Sequence, residues 1–315
     1  MSLVSVIIPC YNAMPYLKDT LNSILEQSYK AIEIIVIDDG SSDGSFEYLE
    51  SLNMPNLIYA KNIRKGACSA RNYGFELSTG EYIQYLDADD VLGPNKINAQ
   101  LKLAAVHGNE SLYSCQWFHF KDSIENAIMK TQYIDKDYSE PYQWLIDSWL
   151  GKGMGQTSVW LTHRNIITKT GGWDESLRIN QDGEFFSRVM FNVKEIIFSK
   201  DAFVYYRMGN ASSISQLNKH SNIKAESLLK SYILYKNHAV TFNAIESVKE
   251  GLANNFLTYI YRYYNHFPEL VKQAENEFTN LGYKKMWPVG GKRFRQLANI
   301  IGFKSALLLK KNYSR

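Results

Sequence analysis

Tyr82-Ile83-Gln84-Tyr85-Leu86-Asp87-Ala88-Asp89-Asp90 runs from an apolar strand into three carboxylates within four positions. A strand interior rejects such a cluster, because an unpaired buried carboxylate costs several kcal/mol or more. At the mouth of a sheet the same residues make a site for a hard cation. Alternate residues of an extended segment point the same way, so Asp87 and Asp89 can face one ion or ligand together. Oxygen donors of this kind suit Mg²⁺ or Mn²⁺, which bridge to nucleotide phosphates. The alternative is a solvated loop whose aspartates, Asp90 above all, cap a following helix. The cluster by itself leaves the two readings open.

Working outward, residues 3–9 (Leu-Val-Ser-Val-Ile-Ile-Pro) and 32–37 (Ile-Glu-Ile-Ile-Val-Ile) are β-branched runs expected as strands buried on both faces. Leu17, Leu21, Ile24 and Leu25 recur between them at helical spacing. Asp43 is placed to cap a helix carrying Phe46 and Leu49; Leu57 to Ala60 is a weaker third strand, and Ala67, Ala70 and Phe75 mark the next helix. Strands alternating with helices predict right-handed βαβ units and a mostly parallel sheet, with ligands bound beyond the carboxyl ends of the strands. Pro9-Cys10-Tyr11-Asn12, Asp38-Asp39-Gly40-Ser41 and Asp87-Ala88-Asp89-Asp90 all fall at those ends. Independent helix caps have no reason to gather there.

The 315 residues are 45% apolar and 21% charged, which fits a folded domain with an extension and not a disordered chain. Cys10, Cys68 and Cys115 show no paired spacing and read as reduced thiols of a cytoplasmic protein. No run of about 20 apolar residues suggests a membrane span. Gly-x-Gly-x-x-Gly, Walker-type and Gly-x-Ser-x-Gly loops are absent, as is zinc-ligand spacing, so dinucleotide, P-loop, serine-hydrolase and zinc readings lack support.

Taken together, Val4-Ser5-Val6-Ile7-Ile8-Pro9-Cys10-Tyr11-Asn12, Val36-Ile37-Asp38-Asp39-Gly40-Ser41-Ser42-Asp43 and Asp87-Ala88-Asp89-Asp90 closely resemble the family 2 glycosyltransferases. The similarity is dense over the first 110 residues and thinner to about 215. It implies the GT-A fold, a Rossmann-like α/β domain, and inverting transfer from a nucleotide-sugar donor with Mn²⁺ or Mg²⁺. By the same resemblance Tyr11, between Pro9 and Asn12 at the donor crevice, lies against a uracil ring. Asp39 accepts the base N–H, Asp38 supports its loop, and Arg71 in Ser69-Ala70-Arg71-Asn72 is a cation near base or diphosphate. An arginine there would equally serve a surface ion pair. Asp89 is matched to the direct metal ligand and Asp87 to ribose or metal.

Displacement at an anomeric carbon also needs a base for the acceptor hydroxyl. The stretch Gly171-Gly172-Trp173-Asp174-Glu175-Ser176-Leu177 with Asn180-Gln181-Asp182-Gly183-Glu184 resembles the family's acceptor-side segment, which assigns that role to Asp182. Gln181 stands where the family usually has Glu; Glu184 and Asp174 are the alternative bases, and a helix cap is the alternative role for Asp182. Trp149, Trp160 and Trp173 are either sugar platforms or core. Arg207, before Ser212-Ser213-Ile214-Ser215, reads as part of a mobile lid over the donor phosphates.

The expected organisation is a nucleotide-sugar half at 1–110, an acceptor-side half at 111–216 and a helical extension at 217–315. The segment 284–315 holds nine Lys/Arg and no carboxylate, which leaves −6 for the preceding residues once the nine are taken from the net +3. Leu297, Ile300, Ile301, Leu307 and Leu308 alternate with those cations, so the tail either lies on an anionic inner membrane face near a lipid-linked acceptor or packs on the domain. The family resemblance implies as partners a UDP-linked sugar donor and a glycan or lipid-linked acceptor, with surface polysaccharide synthesis as the setting. A nucleotidyltransferase would share the carboxylates but need a Gly/Arg/Lys-rich triphosphate loop, which Tyr11-Asn12-Ala13 is not. A non-catalytic nucleotide- or glycan-binding module is the remaining reading.

Overall fold

A computed structural model describes residues 1–209 and 221–313. The chain opens as β1 (Val4–Cys10), α1 (Met14–Leu25), β2 (Ile32–Asp38), α2 (Ser45–Ser51), β3 (Leu57–Lys61), α3 (Ala67–Leu77) and β4 (Tyr82–Tyr85). The next elements are β5 (Val91–Leu92), α4 (Lys96–His107), β6 (Ser111–Phe120), β7 (Ile128–Met129), α5 (Pro141–Trp149), β8 (Thr162–His163), α6 (Arg164–Thr170), α7 (Gln181–Met190) and β9 (Glu195–Arg207). Five further helices close the chain: α8 (Asn222–Thr241), α9 (Ile245–Tyr263), α10 (Pro268–Asn280), α11 (Lys292–Ile301) and α12 (Phe303–Tyr313).

The alternating first part forms the expected parallel sheet, ordered β3-β2-β1-β4-β8, with only β8 antiparallel. Val6, Ile7, Ile8 and Ile34 to Ile37 are fully buried, as strands covered on both faces require. Helix α3 sits close on β1 because of Gly74, where a Cβ would come within 2.4 Å of Ile7 Cγ2. Cys10 pairs with Asp38, and Leu86 N–H donates to Ile7 C=O at 3.0 Å, so the carboxyl ends of β1, β2 and β4 lie side by side. Asp43 ties the adjacent helix starts: one carboxylate oxygen accepts Ser45 N–H (3.1 Å), the other Met14 N–H (2.9 Å).

A second sheet runs β5-β9-β6-β7, with β6 and β9 parallel. The two sheets exchange strands: β5, from the first 110 residues, joins β9, while β8 joins β4. The halves expected at 1–110 and 111–216 are therefore interlocked. In the helical part, α9 buries Val248, Leu252, Phe256 and Ile260, the apolar face visible in the sequence, and packs against α5, α8 and α10. No described helix is long and apolar enough to cross a membrane.

Between the sheets runs a buried polar seam. Gln84 Nε2 donates to Tyr85 C=O (2.6 Å) and Ser158 C=O (2.9 Å), and its Oε1 accepts from the fully buried Lys96 ammonium. Burial pushes Lys96 down to about 7. The unfolded lysine stays protonated to about pH 10.4, so the unfolded chain holds the extra proton and stability rises with pH above the folded value. From pH 7 to 9 that rise is expected to be about 2 kcal/mol in urea denaturation. In Lys96→Met the contribution should vanish; an equal rise in the variant would show that Lys96 is not its source.

Candidate active site

The three polar loops meet at the strand ends. Asn12 turns β1 outward through a left-handed conformation (φ 48°) that asparagine tolerates. Its N–H donates to the Ser41 hydroxyl (2.9 Å) and its Oδ1 accepts Ser42 N–H (2.8 Å), which ties the first loop to the second. Buried Asp38 closes that second loop by accepting Gly40 and Ser41 N–H, each at 3.1 Å. Asp39 points across to the β3–α3 turn, where both its oxygens accept Gly66 N–H at 2.9 Å and Oδ1 also accepts Asn62 Nδ2 at 2.7 Å. Gly66 (φ 115°) supplies a conformation that side chains avoid. Pro9 is half-buried at the end of β1, while the Tyr11 ring stands 57% exposed over the crevice.

Arg71 is not the surface residue that one reading allowed. It is buried on α3, its Nη2 2.8 Å from Asp87 Oδ1 and its Nη1 3.4 Å from Gln181 Oε1, with the guanidinium 4.4 Å over the Trp173 ring. Gln181 therefore meets the cation in the place where a glutamate was expected, as a neutral acceptor.

Asp90 does not cap a helix. It is fully buried, accepting Arg207 N–H through Oδ1 and the Ser158 hydroxyl through Oδ2, each at 3.1 Å, while its carbonyl accepts the Thr20 hydroxyl at 2.8 Å. Burial, then the neighbouring Asp89 and Asp87, raise its carboxyl well above the usual range. Arg207 ends β9 and is buried, with Nε donating to Asp89 C=O (2.9 Å), Nη2 3.2 Å from Asp19 Oδ2, and Tyr16 and Phe120 rings against its guanidinium. Ser212 to Ser215, read with it as a lid, lie outside the described residues.

Helix α7 starts beyond Asn180 (φ 57°), whose Nδ2 donates to the Ser231 and Tyr235 hydroxyls on α8. Asp182 lies in the first turn of α7 and is not its cap. Burial raises its carboxyl above the ordinary range and Asp87 adds to this, against the pull of the Gly183 N–H and Arg71; its chain neighbour Gln181 reaches Arg71 at 3.4 Å. The alternative bases are occupied. Glu184 is buried between Arg188 (2.6 Å) and His238 (2.9 Å), and Asp174 accepts Ser176 N–H at 2.9 Å. Trp160 and Trp173 are core residues, Trp173 stacked on Phe185 at 4.2 Å; Trp149 is half-buried.

Asp87 and Asp89 remain half-buried at the crevice, while Asp90 is used up beneath them. Among the described residues no cluster of three or more His, Cys, Asp or Glu forms a ready metal cage. Two carboxylates still fit Mg²⁺ or Mn²⁺ of the kind held by one or two protein oxygens plus substrate phosphates and water. Sequence reading passed over Asn62 and Gly66, which hold Asp39, and over Asn72, which accepts Trp173 N–H (2.7 Å) and donates to Trp173 C=O (3.0 Å). An isolated glycine before a helix signalled Gly66; nothing local signalled Asn72's partner about 100 residues away.

The sequence model of Glycosyl transferase family 2 matches residues 5–163. An uncharacterised glycosyltransferase of Rickettsia conorii is 30% identical over 70% of this chain, which spans 36% of that relative. The minor teichoic acid biosynthesis protein GgaB of Bacillus subtilis is 26% identical over 69% of this chain and 24% of its own length. The chain thus matches about a third or less of these relatives. Among solved structures, S. aureus TarS 1–349 in complex with UDP-GlcNAc superposes with TM-score 0.65 at 15% identity, over 95% of this chain and 92% of that 1–349 chain. Mannosyltransferase PcManGT from Pyrobaculum calidifontis, in complex with GDP-Man and Mn²⁺, does so with TM-score 0.53 at 16% identity, over 100% and 88%. Both likenesses bear on the fold, which is of the GT-A type with a helical C-terminal region.

Glu184 is ion-paired with Arg188 within α7 and joins α8 through its hydrogen-bond contact with His238 Nε2. Although burial works against it, His238 and Arg188 hold its carboxyl below the usual range. Its stabilising contribution is therefore complete above the unfolded value of about 4.3 and is lost as pH falls through the lower folded value. Glu184→Gln should cost about 3–5 kcal/mol, the range for a broken buried pair, and flatten stability against pH in that acid window. Unchanged chemical denaturation would refute the structural role.

Proposed function

The chain belongs to glycosyl transferase family 2, and from that premise we propose that it moves a sugar from a nucleotide diphosphate, UDP in the first instance, to a glycan or lipid-linked hydroxyl in polysaccharide synthesis. The observation that carries the reading is the meeting of Asp39, the Arg71–Asp87 pair, Asp89 and Asp182 at one crevice, drawn from four separate stretches of chain. In this reading Tyr11 covers the nucleobase, Asp39 accepts its imide N–H while Gly66 and Asn62 hold the carboxylate in place, and Pro9, Asn12 and Asp38 shape the wall.

Asp182 takes the proton of the acceptor hydroxyl as its oxygen attacks the anomeric carbon. The new C–O bond forms as the bond to the diphosphate breaks, and the nucleotide leaves with that electron pair. A single displacement inverts the centre, so an α-linked donor gives a β-linked product. The carboxylates Asp87, Asp89 and Asp182 repel a diphosphate. Mn²⁺ or Mg²⁺ held by Asp89 and Asp87, when bound, would offset that repulsion and stabilise the leaving group. Arg207 acts from below by fixing the Asp89 carbonyl.

Calorimetric titration with UDP, GDP and CMP, with and without Mn²⁺, tests the donor side. Mn²⁺-dependent UDP binding should fall at least tenfold in Asp89→Ala; binding of no nucleotide would overturn the reading. With a competent donor, Asp182→Asn should lower kcat by 10³ or more with nucleotide affinity retained, in line with loss of a general base and its positioning. Because the Asp182 carboxyl is raised, kcat/KM should decline as pH falls from a point above the ordinary carboxylate range.

The same reading puts the C-terminal helices on an anionic lipid surface, as a peripheral protein at the inner membrane face. Helices α11 and α12 bury Ala298, Phe303, Ala306 and Leu307, yet leave Ile300 82% and Leu308 55% exposed beside Lys292, Arg293, Arg295 and Lys304. An apolar face rimmed by cations is the pattern for a helix lying in a charged interface. Flotation with phosphatidylglycerol vesicles should carry the wild type and leave Ile300→Glu/Leu308→Glu behind. Equal partition of both into the aqueous fraction would remove the membrane role.

A further inference from the structure

The turn between β3 and α3 is joined to the segment before α7 by a bidentate ion pair. Arg64 Nη2 lies 2.8 Å from Glu175 Oε1, and Arg64 Nε lies 2.9 Å from Glu175 Oε2. Two parallel bonds of this kind fix orientation as well as distance. Glu175 has a second partner, since Asn72 Nδ2 donates to its Oε1 at 3.0 Å. The same amide is bonded both ways to the Trp173 backbone, so close that a Cβ at Gly172 would stand 2.8 Å from Asn72 Oδ1. Arg64 first, and Asn72 after it, hold the Glu175 carboxyl below the usual range against partial burial.

Each end of the pair leads to a group used above. Asn62 and Gly66, which hold Asp39, flank Arg64 in the turn, and the Ser69 hydroxyl ties Asn62 Oδ1 (3.1 Å) and Arg64 C=O (3.2 Å) to α3. On the other side Glu175 sits in a tight turn closed by Leu177 N–H donating to Asp174 C=O at 3.2 Å. Gln181, the first residue of α7, donates back to Leu177 C=O through Nε2 at 2.9 Å, and Asp182 follows it. Surface ion pairs contribute little to stability. With the Arg64 side chain 53% exposed, this one serves geometry.

We infer that Arg64 and Glu175 form a positioning clasp: they tie the first turn of α7, and with it Asp182, to the turn that holds Asp39, so that a nucleotide on Asp39 steadies α7. A ligand that orders one turn also orders what is bonded to it, and this shows in amide exchange. Neither residue touches the reacting atoms. The role rests on Asp39 receiving the base and Asp182 taking the proton, as proposed above.

Hydrogen exchange read by mass spectrometry on the full chain, with and without UDP and Mn²⁺, tests the clasp. In the wild type the nucleotide should slow exchange at residues 181–186 at least threefold. Arg64→Met and Glu175→Gln should each lose that slowing, yet bind UDP within twofold of the wild type by calorimetry. Glu175→Gln keeps an acceptor for Asn72, so it separates the ion pair from the Asn72 contact. The double variant should lose no more than either single one, the mark of two residues acting as a unit. If thermal melting shows one variant unfolded, the other decides. Slowing retained in a folded variant, or absent from a wild type that binds UDP, would overturn the clasp. So would UDP affinity that falls together with the slowing, which would assign the pair to the donor site. A wild type that binds no nucleotide would instead defeat the transferase reading, and the clasp with it.

Discussion

Everything at the crevice depends on a carboxylate that never faces it. Asp90 is buried where an unsatisfied charge would be costly. It is kept there by the Arg207 N–H at the end of the second sheet and the Ser158 hydroxyl of the connecting segment. Arg207 returns the contact by donating to Asp89 C=O. The loop carrying Asp87 and Asp89 is thereby fastened from beneath by the second sheet and the segment that connects it to the first. Its two remaining carboxylates are held half-exposed at the mouth, which a free loop would not do without losing conformational entropy on each binding event.

The second constraint is electrostatic. Arg71 is buried beside Asp87, and its guanidinium is shared between Asp87 and the Gln181 amide. A glutamate at 181 would draw the same cation toward a second negative partner. With glutamine there, Arg71 keeps its ion pair with Asp87 and the first turn of α7 carries one charge fewer beside Asp182. The departure from the family pattern thus alters the charge balance around Asp182 without removing the polar contact that anchors α7.

The helical C-terminal part does more than cover apolar surface. Tyr235 and Ser231 on α8 hold Asn180, the residue that sets where α7 begins, and Glu184 is gripped by His238 on the same helix. The position of Asp182 is therefore set from outside the α/β sheets. Helices distant in sequence from the nucleotide-binding motifs decide where the proposed base stands.

Much of this could be read from the chain. Buried β-branched runs separated by helical periodicity specify a parallel sheet, and polar triplets directly after those strands mark its crevice, because side-chain alternation and strand polarity are local properties. Asp38, Asp39, Asp87 and Asp89 were visible for that reason. What the sequence could not show was how these groups are shared out. Asp90 looked equivalent to its neighbours and became a buried fastening; Arg207 looked like a lid residue and became its counterpart. Glu184 and Asp182, two residues apart, were separated into an ion-paired support and a carboxylate beside the crevice. The partners that made those distinctions, Ser158, Arg207, His238 and Tyr235, lie tens to more than a hundred positions away. Burial and pairing at such separations come only from packing, so composition and spacing determined which chemistry is present, and the tertiary structure decided which residue is free to perform it.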